Sequence, residues 1–347
     1  MKKARLAAAA ALLSLCLGAT AADDRAPREE DMGAYLMVYH KDADHGLHMA
    51  LSYDGYKFKA LNGDKPVIAG DTIAEQKGIR DPHIFRGPDG AFYLSMTDLH
   101  VFARQKGLRD TEWQRDGKQF GWGNNRALVL MKSRDLINWS RANIRIDQLS
   151  PQLADIGCAW APATAYDYDK QKLMVFFTMR HRTQKCKLYY CYVNDDYNRM
   201  ETLPEVLFEY PKKDCEAIDG DITYADGTYH LFYCSHDGTA GVKQATSRSI
   251  TGPWQYDSAY CDFERVGCEA PHVYKLIGQR KWILMYDIYR ITPHNFGFAE
   301  TADLKEFKNL GHFDRGAMRR EGFSEQKHGA VVWLTKEEAK RLEERWP

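Results

Sequence analysis

Three acids stand at matching places in this 347-residue chain. They are Asp81 in Arg80-Asp81-Pro82, Asp219 in Ile218-Asp219-Gly220 and Glu269 in Glu269-Ala270-Pro271. Carboxyl groups brought together from distant segments can divide acid–base work, the protonated one donating and the ionised one accepting. A third carboxylate nearby raises the donor's pKa by like-charge repulsion and keeps it protonated near neutral pH. Each acid also has a plainer reading. Asp81-Pro82 could be an ordinary strand-initiating turn, and Glu269 could pair with an Arg or Lys. Asp221, two residues after Asp219, falls on the same strand face by alternation and contests its place.

The elements that carry these acids repeat. The lead motifs at Asp81, Asp219 and Glu269 have two further copies, Trp160-Ala161-Pro162 and Lys327-His328-Gly329. A short aromatic strand follows four of them: Phe92-Tyr93-Leu94-Ser95-Met96, Leu173-Met174-Val175-Phe176-Phe177, Tyr229-His230-Leu231-Phe232-Tyr233 and Trp282-Ile283-Leu284-Met285-Tyr286. A fifth such strand, Tyr35-Leu36-Met37-Val38-Tyr39, has no lead motif before it. Then comes a polar turn of the form Ser-x-Asp-(Leu or Gly)-x-x-aromatic, at Ser52–Phe58 and Ser133–Trp139, with variants at Ser247–Trp254 and Thr301–Phe307 and a degenerate copy at Val193–Leu207. Each reads as a strand, a tight turn and a short outer strand. Repeats of this kind set the architecture. The expected fold is all-β, a five-bladed β-propeller. The orphan first strand and the lead motif left at the end of the chain close the ring: the strand after His328 becomes the innermost strand of the blade begun at Tyr35. Closure removes open sheet edges. The interval between the first two lead motifs is the longest, and Leu99–Asn125 reads as a rim insertion.

In a propeller the first strand of each blade lines the central channel, so the lead motifs converge there. Carboxylates facing one another across a channel are what glycoside hydrolysis needs, one to protonate the leaving oxygen and one on the opposite side of the sugar.

Composition narrows the classes. The formal net charge is zero and there is no basic stripe, which argues against a nucleic-acid partner. Residues 1–21 read as a signal peptide, with Lys2, Lys3 and Arg5 before the apolar run Ala7–Leu17 and a small-x-small site at Ala19-Thr20-Ala21. Residues 22–32 read as a linker and 33–347 as the propeller domain, exported to the periplasm or beyond. No later stretch is long and apolar enough for a membrane helix. Cys215/Cys234 and Cys261/Cys268 could bridge neighbouring strands, and the odd count after Cys16 leaves at least one free thiol. No Cys-x-x-Cys pair or Cys/His spacing resembles a zinc site. His45 and His48 read as solvated surface residues. Trp122, in the insertion, could cap the pocket, and His294-Asn295 could reach it. The charged run Lys336–Glu344 reads as a helical cap.

The order Asp-Pro, Trp-Ala-Pro, Ile-Asp, Glu-Ala-Pro, His-Gly resembles glycoside hydrolase family 43, across nearly all of the mature chain. Tyr35–Tyr39, Ser52–Gly55, Gly78–Pro82 and Thr97-Asp98-Leu99 are similar to one of its subgroups. The resemblance implies Asp81 as general base, Asp219 as the residue that tunes and orients the acid, and Glu269 as general acid of an inverting enzyme. Trp160 and Asp221 are then substrate-binding candidates. His328 matches a channel histidine that binds substrate and often holds a central ion, commonly calcium; no cofactor is required. The implied substrate is an oligosaccharide or polysaccharide, with α-L-arabinofuranosidase ahead of β-xylosidase and galactosidase. A propeller that binds glycan without cleaving it is the reading of another class. A retaining fructan hydrolase fits less well, since no Asn-Asp-Pro-Asn motif occurs.

Overall fold

The computed structural model describes residues 26–108 and 115–347, so the expected signal peptide lies outside the described residues. Five sheets, antiparallel but for one outer strand of blade 1, surround a channel. Blade 1 is built around Met32–His40, Leu47–Ser52 and Lys57–Ala60. Blade 2 runs Ile79–Arg86, Phe92–Asp98, Ala127–Ser133 and Ser140–Arg145. Blade 3 runs Ile156–Asp167, Lys172–His181, Lys187–Val193 and Glu205–Phe208. Blade 4 runs Ala217–Ala225, Thr228–Ser235, Gly241–Ser247 and Gln255–Tyr256. Blade 5 runs Glu269–Lys275, Trp282–Ile288, Asn295–Thr301 and Lys308–His312, with Arg315–Gly316 at its edge.

Ring closure occurs where the sequence places it. Lys327–Thr335 is the inner strand of blade 1 and pairs with Met32–His40, Tyr35 facing Trp333. The C-terminal segment also supplies the outermost strand, Arg319–Glu321, which runs parallel to Lys57–Ala60. The sequence pattern does not announce that second contribution. The expected helix is Lys336–Arg345, started by a reciprocal Thr335/Glu338 capping box. Its Ala339 and Leu342 pack between blades 1 and 2, and its Glu338 pairs with Arg86 of blade 2.

Alternation explains the core. Successive side chains of a strand point to opposite faces, and each blade here is covered on both. Leu36 and Val38 face the blade 1–2 core, while Tyr35, Met37 and Tyr39 face the blade 5–1 core. Leu173, Val175 and Phe177 enter the blade 2–3 core, and Met174 and Phe176 the blade 3–4 core. A fifth core, around Phe232 and Leu284, joins blades 4 and 5. The second strands therefore read as continuous apolar runs.

The polar turns hold the outer strands. Ser52 Oγ accepts the Gly55 amide at 2.9 Å and Asp54 Oδ1 accepts those of Tyr56 and Lys57 at 2.7 Å. Ser133/Asp135 and Thr301/Asp303 repeat the device. The fourth residue of each turn takes positive φ, as Gly55, Leu136 and Leu304.

Candidate active site

Every inner strand carries one irregularity at its lead motif. The register shifts between Arg80 and His83, Trp160 and Ala163, Ile218 and Asp221, Glu269 and His272, and opposite Lys327. At each shift one residue has positive φ: Asp81 (52°), Ala161 (46°), Asp219 (56°), Ala270 (56°) and His328 (34°). A β-bulge of this kind re-aims side chains out of the regular pleat. The lead motifs are thus five copies of one bulge. Asp81, Asp219 and His328 occupy equivalent positions, and Glu269 stands one residue earlier, equivalent to Arg80, Trp160, Ile218 and Lys327.

The residue just after each aromatic run supports these bulges, and the sequence pattern does not single it out. His40, Thr97, Thr178, Cys234 and Asp287 pair across the sheet with Lys327, Arg80, Trp160, Ile218 and Glu269. Four of them also accept the bulge amide of the next blade. Asp81 N–H donates to His40 Nδ1 at 3.1 Å, Ala161 N–H to Thr97 Oγ1 at 2.8 Å, Asp219 N–H to Thr178 Oγ1 at 2.9 Å and His328 N–H to Asp287 Oδ2 at 3.3 Å. Cys234 instead donates Sγ to the Cys268 carbonyl at 3.3 Å. A polar residue closing each aromatic strand was the signal available.

Asp81 is buried. Thr97 Oγ1 donates to its Oδ2 at 2.7 Å and His328 Nδ1 lies 3.3 Å from Oδ1. Burial alone would raise its pKa. The His328 imidazolium, with the Arg80 guanidinium behind it, outweighs burial and holds the carboxyl well below the usual range. In return His328, which burial would discharge, is raised to about 9 by Asp81, with Asp219 and Glu269 adding to the effect. Asp219 goes the other way. Burial, then repulsion from Glu269 and Asp81 against the attraction of His328, puts it at about 7. Asp287, unpredicted from sequence, behaves alike: burial and Glu269 raise it to about 7 against the pull of Lys327. His40 is pushed down to about 4 by burial and Arg80, so it stays neutral and can accept from the Asp81 amide. Arg80 pairs with Asp42.

Asp219 and Asp221 do not share a layer. Asp219 acts with Asp81, Glu269 and His328, whereas Asp221 bonds His272, His83 and the Val273 amide. The bulge inserts a residue between them, so period-two alternation does not relate them. Trp160 is half-buried, its Nε1 donating to Gly123 O at 2.8 Å and the Arg180 guanidinium lying 4.5 Å over its ring. Trp122 stands edge-on to it at 6.1 Å and is 71% exposed. Arg180 ties both to the insertion by donating to Phe120 O and Trp122 O at 3.0 Å. His294 feels the charges of Lys327 and Glu269, and Asn295 is buried, donating to Phe313 O. For a channel ion, His328 is poorly suited while it pairs with Asp81: as an imidazolium both ring nitrogens carry protons, and Nε2 would have to lose its own before it could ligate.

Two readings are corrected. His45 and His48 are buried, not solvated: His45 stacks on His100 at 3.8 Å and accepts from the Val101 amide, and His48 bonds Asp44. The loop that carries His45 lies against the start of the insertion, whose His100 and Phe102 pack on its ring, and His48, on the next strand, stacks on Tyr39. The seven described cysteines are all unbridged, so neither Cys215/Cys234 nor Cys261/Cys268 pairs. Cys234 turns instead into a packet with Cys158, Cys186 and Ile218.

An ionised carboxylate, two groups poised near neutrality and a fourth acid in one channel form an acid–base constellation. Known proteins share the frame. A thermostable family-43 glycoside hydrolase superposes with a TM-score of 0.57 at 12% identity, over 80% of this chain and 89% of that one. An endo-1,4-β-xylanase from Bacteroides thetaiotaomicron gives 0.57 at 15% identity, over 83% and 93%. In sequence, the chain is 28% identical over 161 residues to an α-L-arabinofuranosidase of Bifidobacterium longum, 43% of this chain but only 13% of that relative's length. Among the described residues no helix is long and apolar enough to cross a membrane. Residues 30–340, the whole ring, match the family-43-related profile described as "Probable glycosyl hydrolase domain", and the chain belongs to that family of carbohydrate-cleaving enzymes.

Proposed function

We propose that the protein is an exo-acting, inverting glycosidase that removes a terminal pentose, α-L-arabinofuranose, from plant polysaccharide. Asp81 is the base that activates water, Glu269 the acid that protonates the leaving oxygen, and Asp219 the neighbour that tunes and orients that acid. The observation that carries this reading is the split in ionisation: Asp81 is held far below the usual range while Asp219, in the same channel, is pushed to about 7. Inversion needs a water between base and sugar and a proton delivered from the opposite side. Placing base and acid on different blades, 2 and 5, is consistent with that demand. The pentose rests on the sequence relative named as an α-L-arabinofuranosidase. Trp160, on the lead motif of blade 3, is the aromatic candidate for sugar contact, and the positively charged stretch ahead of the apolar run supports export by a cleaved signal peptide.

Activity on aryl α-L-arabinofuranoside and aryl β-xyloside is the direct test, with the anomer of the first product read by NMR. Glu269→Ala should abolish turnover. Activity on neither sugar, or unchanged activity in Glu269→Ala, overturns the assignment. N-terminal sequencing of the exported protein should begin near Ala22.

A further inference from the structure

At another layer of the channel, away from the bulge acids, three inner strands converge on one point. His83 of blade 2, Asp221 of blade 4 and His272 of blade 5 bring Nε2, a carboxylate oxygen and Nδ1 within 4.8 Å of one another. Asp221 Oδ1 lies 3.1 Å from His272 Nδ1 and 3.3 Å from His83 Nε2. Ligands about 2.0–2.1 Å from a tetrahedral ion stand roughly 3.3 Å apart, so two edges of the triangle already have that length. The residues are about 140 and 50 positions apart in sequence, so no motif spacing could reveal them.

The protons point to a cation. His272 Nε2 lies 3.0 Å from the Val331 carbonyl, an acceptor, so Nε2 carries the hydrogen. In the neutral ring, Nδ1 then presents a lone pair to Asp221 Oδ1, and the other oxygen of that carboxylate is taken by the Val273 amide at 2.9 Å. Two lone pairs at 3.1 Å need an electrophile between them, a proton on Nδ1 or a metal ion. The site opens on a cavity of about 440 Å³ whose walls include Tyr168 and Trp333, giving an ion a path in and room for a water ligand. The Thr164 amide approaches His83 Nδ1 at a long 3.3 Å; ligation through Nε2 moves the ring proton to Nδ1 and turns that amide away.

We propose that His83, Asp221 and His272 bind one divalent transition-metal ion of the zinc class, which ties blades 2, 4 and 5 together across the channel. Two imidazoles and one carboxylate suit Zn²⁺, Ni²⁺ or Co²⁺ rather than Ca²⁺, which prefers all-oxygen shells. The site is independent of the glycosidase assignment.

Tag-free, EDTA-treated full-length protein would be dialysed against Zn²⁺ or Ca²⁺ and its metal content and melting temperature measured, beside His272→Gln and Asp221→Asn. Wild type should retain one Zn²⁺ per chain and gain about 4 °C at a hundredfold excess over Kd. Neither variant should retain or respond to Zn²⁺, and Ca²⁺ should leave all three unchanged. His272→Gln keeps a donor for Val331 O and Asp221→Asn keeps an acceptor for the Val273 amide, so both should fold; circular dichroism of the metal-free forms checks this. Equal Zn²⁺ uptake in wild type and a folded variant overturns the proposal. So does a wild type that takes up none, its Tm depending on pH alone, which would make the electrophile a proton.

Discussion

Replacing His328 by Gln removes the cation that faces Asp81 and leaves a side chain able to donate a hydrogen bond. The size of the effect follows from two estimates. Charges 3.3 Å apart attract by about 5 kcal/mol at an effective dielectric constant of about 20. The rise of His328 from 6.5 to about 9 is worth about 3 kcal/mol at about 1.4 kcal/mol per pKa unit. The second is smaller because burial opposes the charge and is already subtracted. With that attraction gone, burial acts on Asp81 against only the Arg80 charge, so its pKa rises. The acid limb of kcat/KM on an aryl glycoside should therefore move up by about 2 pH units. Stability supplies an independent reading. The folded-state pKa of His328 lies above its unfolded value, so its contribution is full below pH 6.5 and is lost as pH rises to about 9. The variant should melt about 5 °C below wild type at pH 6 and at the same temperature above pH 9. An acid limb that stays in place, in a variant showing this closing difference in melting temperature, would refute the role of Asp81 as the ionised base. A constant difference across the range would refute the charged pair.

Thr97→Val removes the donor to Asp81 Oδ2 and the acceptor of the Ala161 amide together; chemical denaturation should show a loss of about 1–3 kcal/mol, with the acid limb raised. Asp287 has a folded-state pKa raised to about 7 and a buried Oδ1 without a partner, so it costs stability as pH rises from about 4 through 7. Asp287→Asn should therefore raise the melting temperature relative to wild type more at pH 8 than at pH 4, and an equal change at both pH values contradicts the assignment. Arg86→Met leaves Glu338, largely buried where the C-terminal helix meets blade 2, with the Thr335 amide alone, and should cost about 3–5 kcal/mol in urea unfolding, while adding Glu338→Gln, which removes the buried charge and keeps the capping box, should restore part of it.

The sequence reveals this architecture because each blade must bury both faces of its second strand. That demand writes an aromatic run such as Leu173–Phe177 five times, and the lead motifs and polar turns fall at regular places around it. The orphan strand at Tyr35 and the unpartnered motif at His328 made ring closure legible. Legibility ended where the regular pleat ends. At the bulges alternation fails, which is why Asp219 and Asp221 looked equivalent and are not. Asp287 was hidden because its role comes from a cross-strand partner, Glu269, and from a neighbouring blade's amide, neither of which leaves a local pattern. The grouping of Asp221 with His83 and His272 was hidden for the same reason, and the burial of His45 because a short polar loop reads as exposed whether or not another loop covers it.

The five bulges have a consequence for how such an enzyme can change. Each is a socket of fixed backbone shape whose side chain points toward a shared centre, and here the sockets hold Asp, Ala, Asp, Ala and His. Left-handed backbone strains alanine by about 1–2 kcal/mol, and Asp and Asn enter it more readily. Ala161 and Ala270 are therefore positions where a carboxylate could be introduced with little rebuilding of the chain. The same backbone shape recurs in all five blades, so what distinguishes one blade's contribution from another's is the side chain in its socket.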